Sequence, residues 1–110
     1  MTLLQRMEFD RKQRRERLRL DVRQQLQAAL QKLLPAQRVI VFGSLTKPGR
    51  FCEASDVDLA LESEPGELSV CQLTSMLAET LGRPVDVVLL PECRFRDKIL
   101  REGESWTLWV

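Results

Sequence analysis

Residues 3–33 of this 110-residue chain contain neither proline nor glycine, and that run constrains the fold more than anything after it. Leu, Gln, Arg and Glu dominate it, all good helix formers, so the run is predicted to be one long helix ended by Pro35. Leu18, Val22, Leu26, Leu30 and Leu33 recur three or four residues apart, which places one face of the second half on a core. Ahead of Leu18 the same stripe reads Met7, Arg11, Arg14, Arg15. The helix is therefore expected to continue past the domain as an exposed basic segment.

A chain of this length supports one core, not two. The expected organisation is a basic N-terminal helix, residues 1–37, packing on a domain that spans 38–110. Charge follows that division. Ten basic and four acidic residues precede Val39, while seven basic and twelve acidic ones follow, although the net charge is only +1.

Val39 to Phe42 is a short apolar run, read as a buried strand. Residues 43–55 are turn and loop, punctuated by Pro48-Gly49. From Asp56 to Glu62 the chain alternates: Val57, Leu59 and Leu61 share one side, Asp56, Asp58 and Ala60 the other. Val70, Leu73, Leu77 and Leu81 mark an amphipathic helix stopped by Gly82 and Pro84. Val85 to Leu90 reads as a third strand, apolar except for Asp86. Residues 91–102 read as a last helix with Phe95 and Ile99 facing inward. Residues 105–110 close as a strand, with Trp106, Leu108 and Val110 alternating. Helices alternating with short strands give an α/β or α+β domain.

Several functional classes are disfavoured at once. There is no histidine, and Cys52, Cys71 and Cys93 are dispersed without Cys-x-x-Cys spacing, so neither a zinc site nor a disulfide scaffold is expected. Cys71 and Cys93 are read as small core residues and Cys52 as a loop thiol. The N-terminus lacks a signal-peptide apolar run and no stretch reaches membrane-spanning length, so a reducing cytoplasm is the expected location.

The chemistry concentrates in two short stretches. Asp56 and Asp58 are two apart on a strand and project to one face. Carboxylates this close have their pKa values pushed up unless a cation holds them. Hard oxygen ligands select Mg²⁺ or Mn²⁺, and a neighbouring strand carrying Asp86 would line the same cleft with a third carboxylate. Two-metal phosphoryl transfer uses such an arrangement. Upstream, Gly43-Ser44 ends the first strand, where glycine permits close approach of a ligand and a short helix would aim free N–H groups at an anion. Lys47 and Arg50 follow and would add countercharge. The Gly-Lys-Ser/Thr ending of a Walker A loop is missing, and without histidine a Ser-His nucleophile cannot operate.

Gly43-Ser44, the eleven-residue gap and "SDVDLAL" together resemble the nucleotidyltransferase signature of the DNA polymerase beta-like superfamily. The size, Asp86 in "VDVVLL" and the ending "ILREGESWTLWV" resemble its minimal stand-alone members, the MNT proteins. The resemblance covers roughly residues 20–110. It implies a small nucleotidyltransferase fold with a mixed sheet of about four strands. It also implies that Asp56, Asp58 and Asp86 hold two Mg²⁺ ions and that Gly43 and Ser44 grip the phosphates of a nucleotide, ATP above all. Where many members carry an arginine soon after Gly-Ser, this chain has Leu45-Thr46-Lys47. Members of this size commonly pair as antitoxins with a HEPN-domain ribonuclease, and some transfer AMP onto a tyrosine of that toxin. Two functions follow as expectations: AMP transfer to a hydroxyl of a HEPN-type toxin partner, or a non-catalytic antitoxin that masks such a partner. A third is modification of a small molecule with another chain supplying the acceptor pocket.

The Arg-rich stretch from Arg11 to Arg23 has three readings: a solvated helix face, a docking surface for an acidic protein, or a nucleic-acid contact. Phe9 is the only nearby aromatic, and the lack of aromatic interleaving argues against nucleic acid. A homo- or hetero-oligomer fits the same surface.

Overall fold

The computed structural model describes residues 1–109. The long Pro- and Gly-free run is a single helix, α1 (Leu3–Leu33). Its start is fixed by a capping box in which the Thr2 hydroxyl accepts from the Gln5 amide and the Gln5 side chain accepts from the Thr2 amide. Then come β1 (Arg38–Phe42), a 3-10 turn (Gly43–Thr46), β2 (Val57–Leu61), α2 (Val70–Leu81), β3 (Val85–Leu89), a second 3-10 turn (Leu90–Glu92), α3 (Arg96–Glu102) and β4 (Glu104–Thr107).

The four strands form one mixed sheet in the order β3-β2-β1-β4. Strand β1 pairs antiparallel with both β2 and β4, whereas β2 and β3 run parallel. Parallel neighbours need a crossover, and α2 supplies it. A second capping box, Ser69 with Gln72, starts α2, and Gly82 in the left-handed conformation closes it.

The period-two alternation sorts side chains between two cores. Val39, Val41, Val57, Leu59, Leu61, Val85 and Val87 meet Val22, Leu26 and Leu30 of α1 and Leu73 and Leu77 of α2. On the opposite face Ile40 and Ala60 meet Leu90 and Ile99, with Phe42, Val88 and Cys93 packed alongside. The second layer is smaller because α3 has only seven residues. It leaves part of that face open as a cleft.

Residues 1–15 are exposed throughout, and the molecule measures 53 Å along its longest axis against 22 Å along its shortest. The first half of α1 therefore projects from the domain. No helix among the described residues is long and apolar enough to cross a membrane.

Three local expectations are corrected. Phe95 does not face inward but is 66% exposed. The turn Leu90–Glu92 interrupts the expected helix, which begins only at Arg96, so the phase that would have buried Phe95 never applies. Cys71 is exposed rather than a core residue, since it lies about 100° around α2 from Val70 and off the buried stripe. The final strand runs Glu104–Thr107 rather than 105–110; Val110 lies outside the described residues.

The burial pattern predicts where stability resides. Leu26 is completely buried whereas Leu4 is 73% exposed. Leu26→Ala should lower the unfolding free energy by about 2–5 kcal/mol in urea titration, and Leu4→Ala should leave it within about 0.5 kcal/mol.

Candidate active site

Asp58 and Asp86 are register partners on the parallel pair β2–β3, on the face that also carries Ala60 and Val88. Parallel neighbours lie about 4.8 Å apart, so this register brings two carboxylates side by side. Asp56 stands two residues ahead of Asp58, immediately before β2. Asp56 and Asp86 are exposed, while Asp58 is half-buried. Burial pushes the Asp58 carboxyl above its usual range, and the charges of Asp86 and then Asp56 push it further the same way. Asp86 and Asp56 thus both act on Asp58.

The 3-10 turn closes the other wall. Gly43 has φ of +78°, and a Cβ on it would collide with the Asp58 carboxylate oxygen Oδ2. Only glycine both adopts this conformation without strain and lets the turn lie against the carboxylate. Thr46 Oγ1 donates to Gly43 O at 2.8 Å and the Lys47 amide donates to Ser44 O at 3.1 Å. The turn's own hydrogen bonds leave its first amides, those of Gly43 and Ser44, free of helical partners.

Between these walls lies a cleft of about 500 Å³, a size suited to one small ligand. Gly43, Lys47 and Asp86 line it together with Phe42, Val88 and, from α3, Phe95, Lys98 and Glu102. Of the residues singled out in the sequence, Gly43, Lys47 and Asp86 line the cleft, Asp58 adjoins it through Gly43 and Asp86, and Asp56 and Ser44 are not among the lining residues. Ser44 is half-buried in the same turn, and Arg50 stands exposed in the following loop. The contribution of α3 is one that the sequence pattern does not reveal. Phe95, Lys98 and Glu102 follow a three-and-four spacing, a signal hidden when the helix is placed with Phe95 inward.

Among the described residues, no group of three or more acidic or thiol side chains is gathered as a ready cage for a metal ion. The donor chemistry nonetheless fits Mg²⁺: this ion needs only one or two protein carboxylates and completes its shell with waters and phosphate oxygens. A half-buried carboxyl whose charge is disfavoured by two like neighbours is a group that a divalent cation would stabilise in its ionised form.

A second set of functional side chains comes from α1. Arg19 is the sole charged residue among the buried ones described, at 9% exposure. Its Nη1 donates to Leu45 O, inside the Gly43–Thr46 turn, at 3.0 Å. Glu16 holds the same guanidinium through Nε and Nη2. Arg23 Nη1 also donates to Leu45 O, at 3.4 Å, and its Nη2 donates to Glu104 on β4 at 2.8 Å. The sequence alone makes these arginines part of a solvated or partner-docking face; Arg19 and Arg23 are instead engaged within the chain. Their four-residue spacing beside the Leu18–Val22 stripe is the available signal.

A family model described as polymerase beta, nucleotidyltransferase matches residues 24–106. That range begins within α1, after Arg23, and ends in β4. No curated protein matches the sequence. Among solved structures, one described as a crystal structure of a toxin-antitoxin with AMP-PNP is similar in fold: TM-score 0.59 and 23% identity, over 76% of this chain and 72% of that one.

Crowding at Asp58 has a pH signature. Its folded pKa lies above the unfolded value of about 4, so the folded state holds the extra proton as pH climbs between the two, and stability falls across that interval. The contribution of Asp58 is complete below pH ~4 and is lost as pH rises through the raised folded value. In metal-free buffer Asp58→Asn should raise Tm above wild type at pH 7, and the gap should close below about pH 4. A gap that does not change with pH would contradict the crowding.

Proposed function

The chain belongs to the polymerase beta nucleotidyltransferase family, and on that premise we propose that it transfers a nucleoside monophosphate, AMP from ATP, onto a hydroxyl of a protein partner. The observation that carries this reading is the meeting of the Asp58–Asp86 pair with a turn that only a glycine at position 43 lets lie against the Asp58 carboxylate. Asp56, Asp58 and Asp86 would hold Mg²⁺, two ions in all. The metal, when bound, would neutralise charge on the phosphates and on the leaving pyrophosphate.

The chain's own residues do the rest. The Gly43 and Ser44 amides and the Ser44 hydroxyl hold the triphosphate, with Lys47 adding positive charge. The acceptor oxygen forms a bond to the α-phosphorus as the bond to the β-phosphate oxygen breaks. Pyrophosphate leaves, and Asp86, exposed at the cleft, takes the acceptor's proton. Positioning and charge neutralisation supply the acceleration, so no covalent enzyme intermediate forms.

The acceptor is assigned to a protein partner whose hydroxyl would enter the cleft beside Asp86. An antitoxin acting on a toxin, of the HEPN ribonuclease type, is the partner arrangement we propose. It is supported by the fold likeness to a structure described as a toxin-antitoxin with AMP-PNP. The cytoplasm is the proposed location.

Incubation with α-³²P-ATP, Mg²⁺ and the product of the adjacent gene should label that product. Asp56→Asn and Asp58→Asn should each cut labelling by at least about 100-fold without loss of the folded circular-dichroism spectrum. Full labelling by either variant would overturn the metal assignment. No labelling, with equal neutralisation of the partner by wild type and both variants in the absence of ATP, would make the protein a masking antitoxin instead.

A further inference from the structure

Resting on the nucleotide-binding reading above, we propose that Arg19 and Arg23 of α1 are positioning residues for the phosphate-binding turn, acting through the Leu45 carbonyl. Neither lines the cleft. Both reach the turn from behind, on the side facing α1, and converge on one backbone oxygen.

Burying a guanidinium is costly unless its donors are occupied. Arg19 is buried to 9% exposure, and its donors are spent on two acceptors only: the Glu16 carboxylate and Leu45 O. A surface role would not require this. Leu45 is fully buried, so its carbonyl needs a partner from within the protein, and the arginines that supply it fix the turn at that point. The peptide unit is planar; fixing the Leu45 oxygen therefore fixes the orientation of the Thr46 amide as well. With Thr46 Oγ1 on Gly43 O, the turn is held at its second half while its first amides stay free for an anion.

Each arginine is itself fixed. Glu16 forms an ion pair with Arg19 at 2.7 Å, and Glu104 forms one with Arg23 at 2.8 Å. The Glu16 carboxyl is held below its usual range, first by Arg19 and further by the backbone amide of Gly49. Arg23 lies over the Trp106 ring, 5.2 Å from its centroid, and the Trp106 indole donates to Glu104 at 3.2 Å. The network therefore ties α1, the turn and β4 into one unit. A gap of 26 residues separates Arg19 from Leu45 and one of 81 separates Arg23 from Glu104, so neither tie is a by-product of local helix geometry.

The test uses Arg19→Met, which keeps the apolar stem, Arg19→Lys, which keeps the charge but not the fork, and Arg17→Met as an exposed control. Hydrogen exchange of residues 43–50 is read in the nucleotide-free protein. Arg19→Met should accelerate exchange there about 10-fold or more, with β1–β3 amides unchanged and Arg17→Met indistinguishable from wild type. In the transfer assay, Arg19→Met should raise KM for ATP about 10-fold while kcat falls less than about 3-fold; Arg19→Lys should fall between. Unchanged exchange in residues 43–50 would overturn the proposal whatever the kinetics. Should Arg19→Met fail to fold, Arg23→Met, at a half-exposed position, carries the same two readouts, and unchanged exchange there overturns the proposal equally. If wild type shows no transfer and binds no Mg²⁺·ATP, the function reading fails by itself, while the exchange experiment still decides whether the arginines hold the turn.

Discussion

A half-buried carboxylate, Asp58, placed beside two other acids is the constraint around which this small protein is arranged. Asp58 sits in the middle of a sheet face, half-buried, beside Asp86 and two residues from Asp56. A fold optimised only for stability would place an apolar residue there, as it does two positions further along the same face, where Ala60 is fully buried. The unfavourable cluster survives because the rest of the domain over-determines it. Val57 and Leu59, on either side of Asp58, are anchored in the larger core with α1 and α2. The strand cannot rotate its carboxylate away without expelling them. Sites that break a local rule while their surroundings obey it are where function is expected.

The same logic extends outward from the carboxylates in layers. Gly43 gives up a side chain so that the turn can touch Asp58. The back of that turn faces α1, where Arg19 and Arg23 take the Leu45 carbonyl. Their counterions, Glu16 and Glu104, belong to α1 and to the edge strand β4. A long helix whose first half lies outside the domain thereby has its second half wired to the turn beside the carboxylates. The basic N-terminal half is exposed from residue 1 to residue 15.

What the sequence disclosed and what it withheld divide along the range of the interactions involved. The bounds of α1, the stop of α2 at Gly82 and the alternation through "DVDLAL" are periodicities or local breakers, and each is legible from neighbouring residues. The pairing of Asp86 with Asp58 follows only on condition that their strands lie side by side, because register is a tertiary fact. Arg19 and Arg23 read as surface charges because Leu45 and Glu104 are remote from them in sequence and the Leu45 acceptor is a backbone carbonyl, which no residue pattern advertises. Phe95 is misplaced by a few residues of turn: Leu90–Glu92 delays the start of α3, and a helix started late presents a different face. That displacement leaves Phe95 and Lys98 bordering the cleft instead of sealing it.

The most direct test of whether these carboxylates are arranged to hold a metal is paramagnetic broadening by Mn²⁺ in amide-resolved NMR spectra of the nucleotide-free protein. Substoichiometric Mn²⁺ should broaden the amides of Gly43, Ser44, Asp58 and Asp86 first, and excess Mg²⁺ should restore them. Broadening scattered over the acidic surface around Glu62, Glu64 and Glu67, with the Asp58–Asp86 pair spared, would contradict that role.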